Sequence, residues 1–331
     1  MMDYEMFKDV VKKNFLSYMP EKYQEMEVRI VSVERVNRRV DGISLCQENR
    51  KGLPSPIIHL NDMYDDYLTK WNLQETLQNA AEAMDRVFMQ RPQNLSLDML
   101  AAKDNIIYQL VNTMQNEDML KNMPHREFQD LSIIYRWVIN AGDKKIESAA
   151  IHNELAKGLG MDEEQLYRAA SENTKRILPP VVKSMNDVIR EIYLADGMPT
   201  EIVDIMINEI PSEQIMWIIT NKYGMNGAAS MLYEDELHKL SLQLGTDLFV
   251  MPSSVHEVIA MSAGDLNPSE LAEIVSKINR EQVALEDRLS NQVYYYDRNL
   301  RKLSLATNTQ NRRLDGIVAE QKRVCEVKQS R

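Results

Sequence analysis

The sequence predicts an α+β protein, with mixed or antiparallel sheets flanked by helices and two ββα-containing lobes as one arrangement it allows. Three observations lead there. Apolar residues recur at i, i+3 and i+4 in some windows and alternate or run continuously in others, so helical and strand periods are both present. Strand-like windows come as neighbouring pairs separated by turn residues, which suits antiparallel hairpins. The 331 residues, 44% of them hydrophobic, are enough to bury a large core without disulfides or a structural metal.

The elements follow in order. Met6, Phe7, Val10, Val11, Phe15 and Leu16 place an amphipathic helix over residues 3–18, stopped by Pro20. From Glu27 the β-branched Val28, Ile30 and Val33 alternate with polar residues. Further strands are expected at 43–47 and 56–60, with Asp41-Gly42 as a turn signal. Asn61-Asp62 should cap a helix reaching Tyr67, and residues 73–89 form a longer one. Residues 105–113 read as a strand. Residues 131–139, Leu-Ser-Ile-Ile-Tyr-Arg-Trp-Val-Ile, are almost continuously apolar, the mark of a strand buried on both faces. A turn at 140–144 and a return strand at 146–151 follow. The next helix spans 161–173, with Asp162, Glu163 and Glu164 favourable in its first turn, and Pro179-Pro180 breaks the pattern.

A helix is expected at 184–194, and Pro199 opens another to Ile207. A strand at 214–220, a turn at Gly224 and Gly227, a return strand at 228–232 and a helix at 234–244 come next. Strands at 247–251 and 255–261 flank Pro252, and Asn267-Pro268 starts a helix. A closing hairpin joins 293–296 to 300–305 across Asp297-Arg298-Asn299. Residues 131–155 and 215–237 echo one another, each reading strand, turn, strand, then Ala-Ala and Glu-Leu. Duplication and chance both explain the echo. The expected division is an α+β lobe at 1–198, a second at 199–306 and a basic, flexible tail at 307–331, with a single mixed sheet across Pro199 left open.

Fifty acids against 39 bases give a net charge of −11, which opposes nucleic-acid binding by the body of the chain. The tail from Thr307 to Arg331 holds six bases against three acids, so it alone is a candidate handle for an acidic partner or nucleic acid. Charged residues interrupt the first twenty positions, so no secretory signal is expected, and no stretch is apolar enough to span a bilayer. Sparse cysteine usage, Cys46 and Cys325 only, fits a reducing cytoplasm. There is no Gly-x-Gly-x-x-Gly and no Walker loop, so no nucleotide cofactor is expected. The 21 methionines serve either as core filler or as an adaptable apolar surface.

Two clusters carry candidate chemistry. Pro124-His125-Arg126-Glu127-Phe128-Gln129-Asp130 places a base, a guanidinium and carboxylates before the 131–139 strand; Arg126 against Asp130 would be an ion pair. Ser253-Ser254-Val255-His256-Glu257 follows Pro252 directly. His256-Glu257 begins like a zinc-protease His-Glu-x-x-His, but residue 260 is Ala260, so the second ligand is missing and no metal is expected. On a strand, Ser254 and His256 would share a face, yet no Gly-x-Ser-x-Gly elbow accompanies them. The candidate catalytic residues are therefore His125, Glu127, Asp130, Ser254, His256 and Glu257, each with a structural role as the competing reading.

Several segments resemble, in the same order, a bacterial domain-of-unknown-function family, five-six-eight-eight. They are Met6-Phe7-Lys8-Asp9-Val10, His59-Leu60-Asn61-Asp62-Met63-Tyr64, Leu110-Val111-Asn112, Pro124-His125-Arg126-Glu127-Phe128, Asp130-Leu131-Ser132-Ile133, Glu172-Asn173-Thr174, Asn226-Gly227-Ala228-Ala229 and Pro252-Ser253-Ser254-Val255-His256-Glu257-Val258. The resemblance runs from residue 6 to about residue 297. It implies a cytoplasmic bacterial protein, often associated with mobile elements of Gram-positive gut bacteria, and no assigned reaction. A fainter similarity to a YtpQ-like family rests on residues 130–173. Two functions remain in view. One is a non-enzymatic interaction or regulatory protein with a protein partner. The other is a hydrolase or metal-dependent enzyme that brings His125 and His256 together with nearby carboxylates.

Overall fold

A computed structural model describes residues 2–46, 56–90, 103–142, 146–208, 215–309 and 313–315. The chain divides into two compact units, residues 1–97 and 98–331. Most of the basic tail, including Cys325, and part of the 140–144 turn lie outside the described residues.

In the first unit, α1 (Tyr4–Asn14) starts where the Asp3 carboxylate accepts the Met6 N–H at 2.8 Å. Phe7 and Val11 are its buried residues, and Phe15, in the 3₁₀ turn that follows, continues the stripe. Strands β1 (Glu27–Arg35), β2 (Arg38–Cys46) and β3 (Ile57–His59) make an antiparallel sheet in that order. Helices α2 (Leu60–Lys70) and α3 (Leu73–Gln90) complete the unit. Ile43 and Leu45 of β2 meet Phe7, Leu60, Met63, Leu77 and Met84 in one core.

The turn expected at Asp41-Gly42 is elsewhere. β1 and β2 reverse at Val36-Asn37, where Asn37 takes a left-handed φ of 64°. Gly42 instead pairs with both Val31 and His59 inside the sheet. A Cβ there would come 2.3 Å from the Ile57 side chain, so glycine lets the neighbouring strand lie close.

In the second unit, β4 (Ile106–Asn112), β5 (His125–Phe128), β6 (Leu131–Ala141) and β7 (Ile146–Ala150) form one sheet around β6. β4 takes one edge of β6, while β5 and β7 lie end to end along the other. Leu131 to Tyr135 is buried at every position, the two-sided burial its continuous hydrophobicity predicts. After α4 (Glu117–Leu120) and α5 (Asn153–Leu159) comes α6 (Glu163–Ile177), opened by a capping box between Asp162 and Gln165. Thr174 of α6 accepts the Tyr108 N–H at 3.1 Å, satisfying a donor on the free edge of β4.

A six-stranded antiparallel sheet follows the order β13-β12-β10-β11-β9-β8. Its strands are β8 (Pro180–Ser184), β9 (Trp217–Asn221), β10 (Leu248–Met251), β11 (Val258–Ser262), β12 (Tyr294–Asp297) and β13 (Lys302–Leu305). β8 precedes Pro199 and its partner β9 follows it, so one sheet spans that position. Helices α7 (Met185–Ala195) and α8 (Thr200–Asn208) connect those two strands. α9 (Glu234–Leu244) and α10 (Pro268–Gln282) follow, the latter capped by Asn267. One face of the sheet shares the main core with β4 and β6 through Ile219, Leu248, Val258, Tyr294 and Tyr296. The other carries Phe249, Met251 and Tyr295 against Ala272 and Val275 of α10. Consecutive tyrosines of β12 thus serve two cores, as strand alternation requires.

Two local expectations are corrected. Residues Gly227–Leu232 form a 3₁₀ helix rather than a return strand, with Gly227 to Met231 all buried. Small side chains there let the backbone pack close, so the local echo of 131–155 does not extend to a second ββα unit. Residues 254–257 precede β11 and lie outside it.

Candidate functional site

A dense set of buried hydrogen bonds lies within the second unit, where the turn after β5 meets the segment leading into β12. Gln129 takes a φ of 60°, and this tight turn delivers Asp130 into the interior, 6% exposed. Its carboxylate accepts hydrogen bonds from the Ser290 hydroxyl at 2.6 Å and from the Tyr294 hydroxyl. The Tyr294 ring is stacked on Phe128, with centroids 6.2 Å apart and planes 10° from parallel. A buried carboxylate needs such donors, because each lost hydration contact otherwise counts against the fold.

The bonding continues along Leu289, Ser290, Asn291 and Gln292. Asn112, at the end of β4, donates to the Leu289 carbonyl at 3.1 Å. Asn279 of α10 donates to the Ser290 carbonyl at 2.9 Å and to Asn291 Oδ1 at 2.8 Å. Gln292 accepts from the Thr307 hydroxyl and from the Thr309 N–H, each at 3.0 Å. Thr307 is buried and Leu314 is 3% exposed, so the start of the expected tail is packed against the body. The Leu289 and Ser290 N–H groups donate to the carbonyls of Ser253 and Pro252 at 2.9 and 2.8 Å. One short segment therefore bonds to β4, the β5–β6 turn, α10, the loop after β10 and the chain beyond β13.

The Ser253–Glu257 loop makes the second centre. The Ser254 hydroxyl accepts the His256 N–H at 3.0 Å, an ST-turn bond of the kind that follows a broken strand. His256 Nε2 lies 3.1 Å from Asp287 Oδ1, and Nδ1 accepts the Asn226 N–H at 3.4 Å. That pattern assigns the ring proton to Nε2, donating to Asp287. The serine hydroxyl bonds backbone rather than the imidazole, so these side chains do not form a serine–histidine relay. The Thr220 hydroxyl donates to the His256 carbonyl at 2.7 Å. Directly beside it, a Cβ on Gly227 would sit 2.2 Å from Thr220 Oγ1 and 2.4 Å from that carbonyl, so only glycine fits.

The first sequence cluster is split. His125, on β5, has Nδ1 2.9 Å from the Met123 carbonyl. Glu127 is exposed. Arg126 does not pair with Asp130. It forks onto Glu163 at 3.0 and 2.9 Å, reaches Glu164 at 2.5 Å and lies 3.8 Å over the Tyr167 ring. Tyr135 donates its hydroxyl to Glu163 as well. Burial, then this bond, raises the Tyr135 phenol well above its ordinary value, and the two carboxylates raise that of Arg126. No hydrogen bond or ion pair joins His125 to His256. Among the described residues no three His, Cys, Asp or Glu side chains are grouped to hold a metal ion.

A family model described as a family of unknown function, DUF5688, matches residues 4–298. The chain belongs to this family. The likeness to YtpQ-like proteins has no such support. No curated protein and no solved structure matches the chain. In this DUF5688 protein the match includes β12 and ends before β13. Asn112, Asp130 and the Pro252–Ser253 carbonyls, all from segments that carried the resemblance, bond to residues 289–290 or to Tyr294. Asn226 and Gly227 meet the same loop through His256. Sequence reading missed Ser290-Asn291-Gln292, although three uncharged polar residues between Leu289 and Val293 were the available signal.

Proposed function

We propose that this DUF5688 protein acts by binding a protein partner through the α7–α8 helical pair. One observation carries this reading. A helix of a folded domain normally buries an apolar stripe, yet α7 has no fully buried residue. In α8, Val203 is buried, while Ile202, Ile205 and Met206, spaced i, i+3 and i+4, are exposed. Ile192 and Leu194 of α7 are exposed as well. The pair is held as a unit by an Arg190–Asp204 contact of 2.6 Å. Clustered apolar residues left in water are the usual mark of an interaction surface. The buried bonding of Asp130 and Ser254 and the pairing of His256 with Asp287 support a scaffold role for those residues, and the sparse cysteines fit a reducing compartment. Among the described residues no helix is long and apolar enough to cross a membrane.

The test compares the full chain with an Ile202→Glu/Ile205→Glu variant as bait in the cells that make it. Both sites are exposed, so the variant should keep its unfolding curve. A partner retained by the native chain, lost by the variant and rebinding as a purified protein supports the reading. Identical captures, or none, would overturn it.

A further inference from the structure

The charge around the same helical pair specifies the partner's chemistry. Residues 185–208 carry five acids, Asp187, Glu191, Asp196, Glu201 and Asp204, against the single base Arg190. Arg190 is committed to Asp204, and Glu191 is paired with Lys183 of β8 at 2.7 Å. Asp187 accepts the Ser184 hydroxyl at the helix start. Asp196 and Glu201, both exposed, flank the connection between the helices, one on each side of it. The helical pair therefore presents exposed aliphatic side chains together with two exposed acids at the connection between its helices.

That combination discriminates between occupants. A second copy would set Asp196 and Glu201 against their own counterparts with no added cation, which like-charge repulsion disfavours. Anionic lipid and nucleic acid meet the same repulsion, and nucleic acid has no use for exposed isoleucines. A segment with an apolar stripe bordered by lysine or arginine satisfies both parts of the surface together. We infer that the face of α7–α8 bearing Ile202, Ile205 and Met206 docks a basic amphipathic segment of another protein, an inference that rests on the reading above and names its partner class.

The experiment titrates labelled 18-residue amphipathic peptides into the full chain. One peptide is built from Leu and Lys, one from Leu and Glu, and one from Leu and Gln. The Leu–Lys peptide should bind about tenfold or more tightly than the neutral one, with salt eroding the difference, and the acidic peptide least. Asp196→Asn/Glu201→Gln should reduce that preference, and Ile202→Glu/Ile205→Glu should abolish binding of the neutral peptide. Equal binding of all three peptides would overturn the basic-partner inference while leaving a docking face intact. Binding unaffected by the isoleucine variant would overturn the docking face itself. A marked gain in Leu–Lys affinity after Lys322→Glu/Arg323→Glu in the full chain would assign the site to this chain's own basic end and overturn the assignment to another protein.

Discussion

The carboxylate of Asp130 accepts the hydroxyl of Ser290 at 2.6 Å across 160 positions of sequence. With the Tyr294 hydroxyl on its other oxygen, this contact joins the β5–β6 turn to the entrance of β12 inside the protein. Asp130→Ala leaves two buried hydroxyls without that acceptor and should destabilise the unit by about 3 kcal/mol. Asp130→Asn keeps one acceptor oxygen and should lose less. Urea midpoints for both variants check the order; equal losses would show that the hydroxyl bonds are not what the carboxylate supplies.

Gly227 and Gly158 should respond in opposite directions to alanine. At Gly227 the added methyl meets Thr220, the His256 carbonyl and the Asn221 N–H at 2.9 Å or less, so Gly227→Ala should cost about 1–3 kcal/mol. Gly158 lies in α5 with nothing within 4 Å of its Cβ position. Gly158→Ala should gain about 0.5–1 kcal/mol by helix propensity. Melting temperatures that move the same way would contradict the close packing at Gly227.

Tyr295 and Asp247 give stability a pH dependence at both extremes. The Tyr295 hydroxyl donates to Asp247 at 2.6 Å, and the Arg298 N–H donates to the same carboxylate at 3.0 Å. Those bonds hold Asp247 below the usual carboxylate range, so its contribution is lost as pH falls through the folded value. Bonding to Asp247, then burial, pushes Tyr295 up to about 12. An unfolded tyrosine ionises near pH 10, so in that window the unfolded chain releases the proton first and stability falls as pH rises. Tyr295→Phe should remove this part of the alkaline decline and shrink the acid decline, because Asp247 loses the hydrogen bond that lowers it most. Denaturation midpoints from pH 3 to pH 12 that remain parallel to the native curve would refute the coupling.

Arg126→Lys retains the charge but loses the fork on Glu163 and the planar contact with Tyr167. Because Arg126 is partly exposed, the loss should be modest, about 1 kcal/mol. Arg126→Ala should exceed it. A lysine variant indistinguishable from the native chain by calorimetry would mean that charge alone matters at this position.

The sequence disclosed elements better than sites, for physical reasons visible in particular residues. Leu131–Tyr135 announced a doubly buried strand because every side chain had to be apolar or bonded. Asn267 announced a helix start because a cap is local chemistry, whereas Asp162, expected within a first turn, proves to be the cap itself. The 3₁₀ helix at Gly227–Leu232 was hidden because its conformation answers to crowding by Thr220 and the His256 carbonyl, both set by tertiary packing. Two partners of Asp130 were hidden because they are serine and tyrosine hydroxyls far along the chain, whereas charge-based reasoning looked to nearby Arg126. Exposure on α7 and α8 is equally invisible in sequence, since an amphipathic pattern does not say whether its apolar stripe is covered.

The late position of β12 also constrains how the chain can be made. Unit 1–97 has every residue of its core in hand early in synthesis. The other unit cannot cover the β10 edge until Tyr294 to Tyr296 have left the ribosome, and Asp130 waits as long for Ser290. A transcript truncated just upstream of Ser290 would thus yield a protein with one finished unit and one bare sheet edge, a form that proteases and chaperones readily recognise. Pairing of β12 with β10 and β13 is thus what closes this side of the sheet.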